Sequence, residues 1–503
     1  MMTNFWKRNR ALIITVVIVL AAVGIVTQDM EPKVWMSILL SGVTLAALYF
    51  LIASGLSLIF GLMDVLNFAH GAVFVLGAYV GLSAFMNPRL LFNTIPFFLA
   101  IVSGALIAQH FGVYIWRRVK TRGVRQVLWW VMLILAVGII AFSVRQFPIR
   151  AINAFNVTAV GGIVQTAEAQ ESLGLMIQRV TLLFVGGLPF GIMIAPKERH
   201  EEGVRRPTWQ VVVLALVTLA IGYLILISRD VGEQFMLGLS VDLRFLLALI
   251  LGASAGALVG AVIEVVLIRP FYGNPVTQLV LTLGLMIAFT DLIEGIWGEE
   301  GNPPMEPPSF FTEGCRSESI ITWFSEHCRS VDVLGRAFPT YRLFIITLGV
   351  VVFVGVGLLL QRSRIGMIIR AGVQDSEMVQ ALGINVRQVF TFVFALGSGL
   401  AALGGVIAAP FLGVYPAMGS SFLLQAFIAV VIGGMGSYPG AAVGTLLLGL
   451  ARAFGDHFVA SGISLPFIET VAKGSPALAR ASTVLIMAIV LLVRPAGIFG
   501  RKE

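Results

Sequence analysis

An all-α, polytopic membrane fold is predicted by three observations. Hydrophobic residues make up 58% of the 503 positions and charged residues only 12%. Mean hydropathy is +0.95. Nearly uncharged apolar runs of spanning length recur from Ala11 to Val493. A soluble domain is close to half apolar and a quarter charged, so this chain has too little polar surface to face water. Each run is long enough to cross a hydrocarbon core of about 30 Å as a helix, which satisfies its own backbone. A soluble enzyme, a nucleic-acid binder and a disordered scaffold are excluded.

Dividing the runs at Pro, Gly and charge clusters predicts about fourteen transmembrane or half-spanning helices. They fall near 11–27, 36–60, 65–86, 95–116, 127–144, 173–194, 208–227, 237–268, 276–297, 341–360, 389–409, 422–435, 440–454 and 481–494. Lys7, Arg8 and Arg10 precede the first run, which is long for a signal peptide and lacks a following A-x-A site, so it reads as an uncleaved helix. The net charge of +8 belongs to short loops between spans. Arg117, Arg118, Lys120, Arg122 and Arg125 share one loop, and Lys197, Arg199, Arg205 and Arg206 a second. Arg362, Arg364, Arg370 and Arg387 share a third, within 361–388. The positive-inside rule puts all three in the cytoplasm together with both termini, although Arg145, Arg150, Arg229, Lys473 and Arg480 fall on the other side.

The same alternation places 298–340 outside the cell membrane. This loop is acidic and holds both cysteines, Cys315 and Cys328. Two cysteines in one loop on the oxidising side predict a disulfide, the alternative being two free thiols. Ser319–His327 reads as a short helix whose Ile320, Ile321, Trp323 and Phe324 are expected to pack onto the membrane domain.

Three further stretches stand out. Asp64, Asn67 and His70 recur every third residue between Gly61 and Gly71, which fits a break between two helices. At membrane depth such groups either cap the two helix ends or face a transported solute. Residues 362–385 read as a short helix near Asp375 that stops at Gly383, with Met378, Ala381 and Leu382 forming an apolar face on a polar loop. That face suits a groove on a soluble partner or the membrane surface. Gly433, Gly434, Gly436 and Pro439 form a tight turn, with Gln425 one helix turn or two before it.

These stretches and their order resemble the membrane permease subunits of branched-chain amino acid ABC importers. The matching pieces are "NFAHG" at Asn67–Gly71, "IEVVLIRPF" at Ile263–Phe271 and "RSRIGMIIRAGVQDSEMVQALGINV" at Arg362–Val386. "FALGSGLAALGGVI" at Phe394–Ile407, "AFIAVVIGGMGSYPGAAVGTLLLGLA" at Ala426–Ala451 and "LLVRPAGIFGR" at Leu491–Arg501 complete the set. The resemblance covers 36–86 and 237–503. It implies an inner-membrane, multi-pass permease that carries a branched-chain or other neutral amino acid into the cell. Its partners would be a second related permease, two cytoplasmic ATP-binding subunits and an extracytoplasmic substrate-binding protein, within membrane lipid and without nucleic acid. Coupling to the ATPases would fall on Arg370, Asp375, Met378, Ala381, Leu382 and Gly383. Translocation-path candidates are Asp64, Asn67, His70, Gln425, Gly433, Gly434 and Gly436.

No cofactor, metal or catalytic residue is expected on this chain. It has no P-loop, so ATP and Mg would sit on partner chains. Urea or short amides are the alternative cargo. A secondary transporter would need coupling carboxylates near the midplane. Asp291 and Glu294 lie near one end of their span, and Glu264 lies within reach of Arg269, so these read as interface or packing groups. Five scattered histidines, no H-E-x-x-H and no paired membrane aspartates argue against an intramembrane enzyme.

Two departures from the usual family pattern stand in this chain. Ala72 follows "AHG" where relatives often carry an acid, and 88–242 encodes about four extra spans. The expected organisation is therefore 1–87 N-terminal permease helices, 88–242 an inserted four-helix module, and 243–503 the permease core. An even number of inserted spans leaves the sidedness of the core unchanged.

Overall fold

The computed structural model describes residues 30–119, 121–145, 147, 172–195, 208–302, 304–374, 376–461, 463–465, 468–472, 487–488, 492 and 497–499. Among them, nine helices are long and apolar enough to cross a membrane. A helix pair bent by 119° and a shorter apolar helix, His70–Met86, add to these. Twelve of the fourteen expected stretches are thus helical, and the other two, 11–27 and most of 481–494, lie outside the described residues.

In chain order the helices are α1 (Pro32–Met63), α2 (His70–Met86), α3 (Pro88–Arg118), α4 (Arg122–Val144), α5 (Leu173–Ile194), α6 (Thr208–Ile227), α7 (Arg229–Gly238), α8 (Val241–Ile263) and α9 (Pro275–Trp297). Then come strand β1 (Glu313–Ser317), α10 (Ile320–Glu326), β2 (Cys328–Val333) and β3 (Arg336–Pro339). They are followed by α11 (Thr340–Arg362), α12 (Arg364–Gln374), α13 (Ser376–Ala381), α14 (Val386–Leu412), α15 (Met418–Gly433) and α16 (Tyr438–Ser461). A hairpin of β4 (Ile463–Leu465) and β5 (Ile468–Ala472) completes the described elements. The helix expected over 237–268 begins only at Val241, and α7 stands before it as a separate element.

The chain divides into two compact units. One comprises Met1–Leu82, Val241–Glu294 and Glu299–Glu503, and the other Ser83–Ser240 with Gly295–Gly298. In the first, α1 and α14 are the interior helices, 83% and 72% buried over their apolar windows. Helix α14 packs on three neighbours because each contact has shed its side chain. A Cβ at Gly397 would meet the Gly55 carbonyl oxygen of α1, and one at Gly405 the Phe74 carbonyl oxygen of α2. Gly252, Gly256 and Gly260 of α8, spaced by four, lie over Val406, Ala402 and Ser398. Small residues at helix spacing let backbones approach where lipid offers no hydrophobic drive, so dispersion contacts carry the association.

In the second unit, α3 and α5 meet along a seam of the same kind. Gly104 faces the Phe184 carbonyl, Gly187 that of Ile101, and Gly191 that of Ala105. Buried Leu90, Phe97, Met176, Val180 and Leu183 fill the space beside it. Ser103 donates to the Ala215 carbonyl at 2.7 Å and Trp116 to that of Ile192 at 2.7 Å, which ties α6 and α5 to α3.

The loop 298–340 holds a small sheet that the sequence reading did not anticipate. Strands β1 and β2 are parallel and β2 and β3 antiparallel. Leu334 and Gly335, both with positive φ, make the two-residue turn between β2 and β3. The Gly335 amide donates to Asp332 Oδ1 at 2.6 Å, and Arg316 pairs with Asp332. Cys315 and Cys328 are joined by the expected disulfide. Helix α10 is capped reciprocally by Ser319 and Thr322. Its Trp323 stacks on Phe311, which in turn meets Tyr341 and Phe344 of α11. Ile320, Ile321 and Phe324 are exposed rather than packed, a correction with a simple cause: a helix of two turns turns only one side inward, and Trp323 fills it. The start of the loop is pinned by Asn302, which exchanges two backbone hydrogen bonds with Val414 in the α14–α15 connection.

Candidate functional site

Three polar features sit within the first unit. The earliest is the break between α1 and α2. Helix α1 ends in Asp64, held in the left-handed region (φ 53) with its amide on the Phe60 carbonyl. Residues 64–69 are not helical, so Asp64, Asn67 and His70 do not share a helix face. Asp64 is exposed, whereas Asn67 and His70 are buried. A Cβ at Gly55 would stand 2.7 Å from His70 Nε2, and Gly71 sits against Gly419 of α15. The buried side-chain atoms of Ser57, Asn67 and Ser398 and the Gln425 Oε1 atom have no hydrogen-bond partner among the described residues. Buried polar groups are nearly always paired, and an unpaired one costs about 1–3 kcal/mol.

The second feature is the bent pair α15–α16. Gly434 (φ 103) and Gly436 (φ 78) supply the backbone conformations that close the bend, which other residues adopt only under strain. A Cβ on Gly61 at the end of α1 would meet Gly436 Cα at 3.0 Å, so the two sequence-predicted segments come together. The amides of Ile498 and Phe499 donate to the carbonyls of Ile432 and Gly433, both at 2.9 Å. The C-terminal motif is thereby explained locally: it satisfies the last carbonyls of α15.

The third feature is a charged cluster at the end of α8. The helix passes through a π-turn, Glu264–Ile268, into a 3-10 turn, Arg269–Phe271. The turn brings Arg269 back onto Glu264, whose residue exposure is 0%. Arg269 Nε and Nη2 donate to the two carboxylate oxygens at 3.1 and 2.8 Å. The Tyr272 hydroxyl donates to Oε1 at 2.5 Å and the Thr391 hydroxyl to Oε2 at 2.7 Å. Arg269 Nη2 also donates to Thr391 Oγ1 at 2.7 Å. Burial first, then the hydrogen bond to Glu264 and its charge, push the Tyr272 hydroxyl well above its usual range, so it stays a neutral donor. The pairing of Glu264 with Arg269 is legible in the sequence. Tyr272 and Thr391 are not, and Thr391 lies 127 residues away.

Thr391 is in the second turn of α14, directly after the loop of α12 and α13. Arg370 donates to the Leu360 carbonyl at 2.7 Å, so it caps the end of α11. Met378, Ala381 and Leu382 are exposed together, while Val379 is buried beneath them. Gly383 (φ 80) stops α13, and the Asn385 side chain accepts from the Gln388 amide to begin α14. Asp375 lies outside the described residues.

Gly252-Ala253-Ser254-Ala255-Gly256 has the spacing of a hydrolase nucleophile elbow, but it lies within the continuous helix α8. The strand-to-helix turn that activates such a serine is lacking there, and both glycines serve helix packing.

A family model for the branched-chain amino acid transport system / permease component matches residues 208–493. The chain belongs to this permease family. The high-affinity branched-chain amino acid transport permease protein BraD of Pseudomonas aeruginosa is 32% identical over 274 residues, which cover 53% of this chain and 79% of that protein. LivH of Escherichia coli is 29% identical over 304 residues, 57% of this chain and 89% of LivH. A ribose import permease of Haemophilus influenzae is more distantly similar, 25% identical over 48% of this chain and 68% of its own length. No solved structure matches. As a member of this permease family, the chain is a multi-pass helical membrane protein with a transport role.

Proposed function

We propose that this chain is a permease subunit of an inner-membrane ABC importer for a branched-chain or other neutral amino acid. The observation that carries the coupling is the exposed apolar face of Met378, Ala381 and Leu382, on a short helix that leads directly into the interior helix α14. Such a face fits a groove on a soluble subunit. Two cytoplasmic ATP-binding subunits would press there, and the motion would pass into α14 and, through Thr391 and Glu264, into α8. Arg370 acts in this reading by holding α12 against the end of α11.

The path runs past the Asn67–His70 break and the Gly433–Gly436 bend, with Gln425 beside it. Irregular backbone at membrane depth is tolerated where protein covers it or water lines it. A passing solute with an ammonium and a carboxylate group offers partners for the Asn67 amide, the His70 ring and the Ser57 and Ser398 hydroxyls. A second related permease would complete the translocation unit, and an extracytoplasmic binding protein would deliver cargo at the 298–340 cap. The segment 88–242 is an inserted helical module in this reading, and both termini face the cytoplasm. An ion-coupled carrier fits less well, because Glu264 is already committed to three side chains.

Similarity to the BraD and LivH permeases favours a neutral amino acid, and urea or a short amide is the second reading on the same site chemistry. The ligand of the binding protein encoded beside this permease decides between them. Calorimetry should show leucine, or another neutral amino acid, binding to it. A sugar ligand, in line with the distant similarity to the ribose permease, would refute the amino-acid assignment.

A further inference from the structure

Helix α7 turns two of its three charged side chains inward, with Asp230 left exposed, and turns Val231, Phe235 and Leu237 outward. Arg229, Glu233 and Met236 are buried, and Gly232 lies over the Phe92 ring of α3. Arg89, at the start of α3, donates to Glu233 Oε2 at 2.9 Å and to Asp230 Oδ1 at 3.1 Å. On the other side Val231 and Phe235 are 72% and 65% exposed, and Leu237 is exposed as well. A surface helix in water does the reverse. Only Ser228 separates α7 from α6, whose window is 17% buried and whose Leu224 and Ile227 face outward. Leu224, Ile227, Val231 and Phe235 therefore make one stripe at helical spacing, and α7 extends the lipid-facing surface of a span.

We propose that α7 is an interfacial helix that seats Val231 and Phe235 among the lipid acyl chains. The Arg89 ion pairs hold its polar face against α3 so that the apolar face meets lipid. An amphipathic helix at the boundary between headgroups and acyl chains gains by burying apolar area in this way. The small residue at 232 fits the same design, since it draws the helix close to α3 and fixes its rotation. The inserted unit then grips the bilayer at its edge as well as through its spans.

Both native cysteines are bonded to each other, so single-cysteine variants of the full chain can be labelled without background. Val231→Cys, Phe235→Cys and, as an aqueous control, Arg336→Cys in the exposed β2–β3 hairpin would each carry bimane in nanodiscs of phosphatidylcholine. Bromines placed on the headgroup end of the acyl chains should quench the 231 and 235 labels, with a blue-shifted emission, and quench the 336 label less. Iodide in the aqueous phase should show the opposite order. Equal quenching of all three by iodide would overturn the proposal by placing the face in water. Protection of 231 and 235 from both quenchers would overturn it in favour of a protein partner or a second copy. These positions are exposed, so the labels do not disturb the core, and intact α3–α7 pairing is checked separately by unchanged thermal unfolding.

Discussion

Glu264→Ala should abolish uptake and lower the thermal unfolding temperature of the complex. The carboxylate is fully buried and holds Arg269 through two oxygens, with Tyr272 and Thr391 completing its acceptor sites. Its removal leaves the Arg269 guanidinium and the Tyr272 hydroxyl without their carboxylate acceptor, while Thr391 keeps the Arg387 carbonyl. Breaking a buried pair by deleting one partner costs roughly 3–5 kcal/mol. The double variant Glu264→Leu with Arg269→Met removes both charges and should recover much of the stability, while uptake stays low. That split between stability and transport separates a positioning role from a purely structural one. Unchanged uptake in Glu264→Ala would contradict the link between α8 and α14.

The paired change Met378→Asp and Leu382→Asp should leave the chain inserted and folded but stop ATP-driven uptake. Both side chains are exposed, at 63% and 72%, and exposed substitutions away from caps and ion pairs alter stability by only about 0.5 kcal/mol. A loss of transport therefore reports on what docks there. Two carboxylates desolvated against an apolar groove leave unpaired charge in the interface. Hydrolysis and uptake measured on one preparation should separate, with uptake at background and the residual hydrolysis no longer stimulated by cargo. Wild-type uptake in the double variant would remove the coupling role.

Much of the fold was legible because each span is written as an apolar run whose length the bilayer dictates. The α1–α2 break was legible from Gly61 and Gly71, and the α15–α16 bend from Gly433, Gly436 and Pro439. What the sequence concealed depended on distant partners. Strands β1–β3 escaped notice because Glu313–Ser317 is exposed at four of five positions, so no apolar alternation marks it. Helix α7 falls between the helices expected over 208–227 and 237–268, where Arg229, Asp230 and Glu233 interrupt the apolar runs, whereas Arg89, more than 130 residues earlier in the chain, takes two of those charges. Gly252, Gly256 and Gly260 carried a signal at four-residue spacing, but only the structure identifies α14 as the surface they meet. At the site, the sequence singled out Asp64, Asn67 and His70 together, and the structure buries Asn67 and His70. The sequence could not tell that Asp64 parts from them, because that depends on where the helix stops.

The most direct test of the importer assignment is uptake by the purified permease, assembled with its ATP-binding subunits and binding protein, in sealed proteoliposomes. Radiolabelled leucine should cross only when the ATP-binding side has hydrolysable ATP, and neither a proton uncoupler nor removal of sodium should reduce the rate. Uptake that proceeds without ATP and follows an imposed proton or sodium gradient would contradict the account and assign the chain to ion-coupled transport.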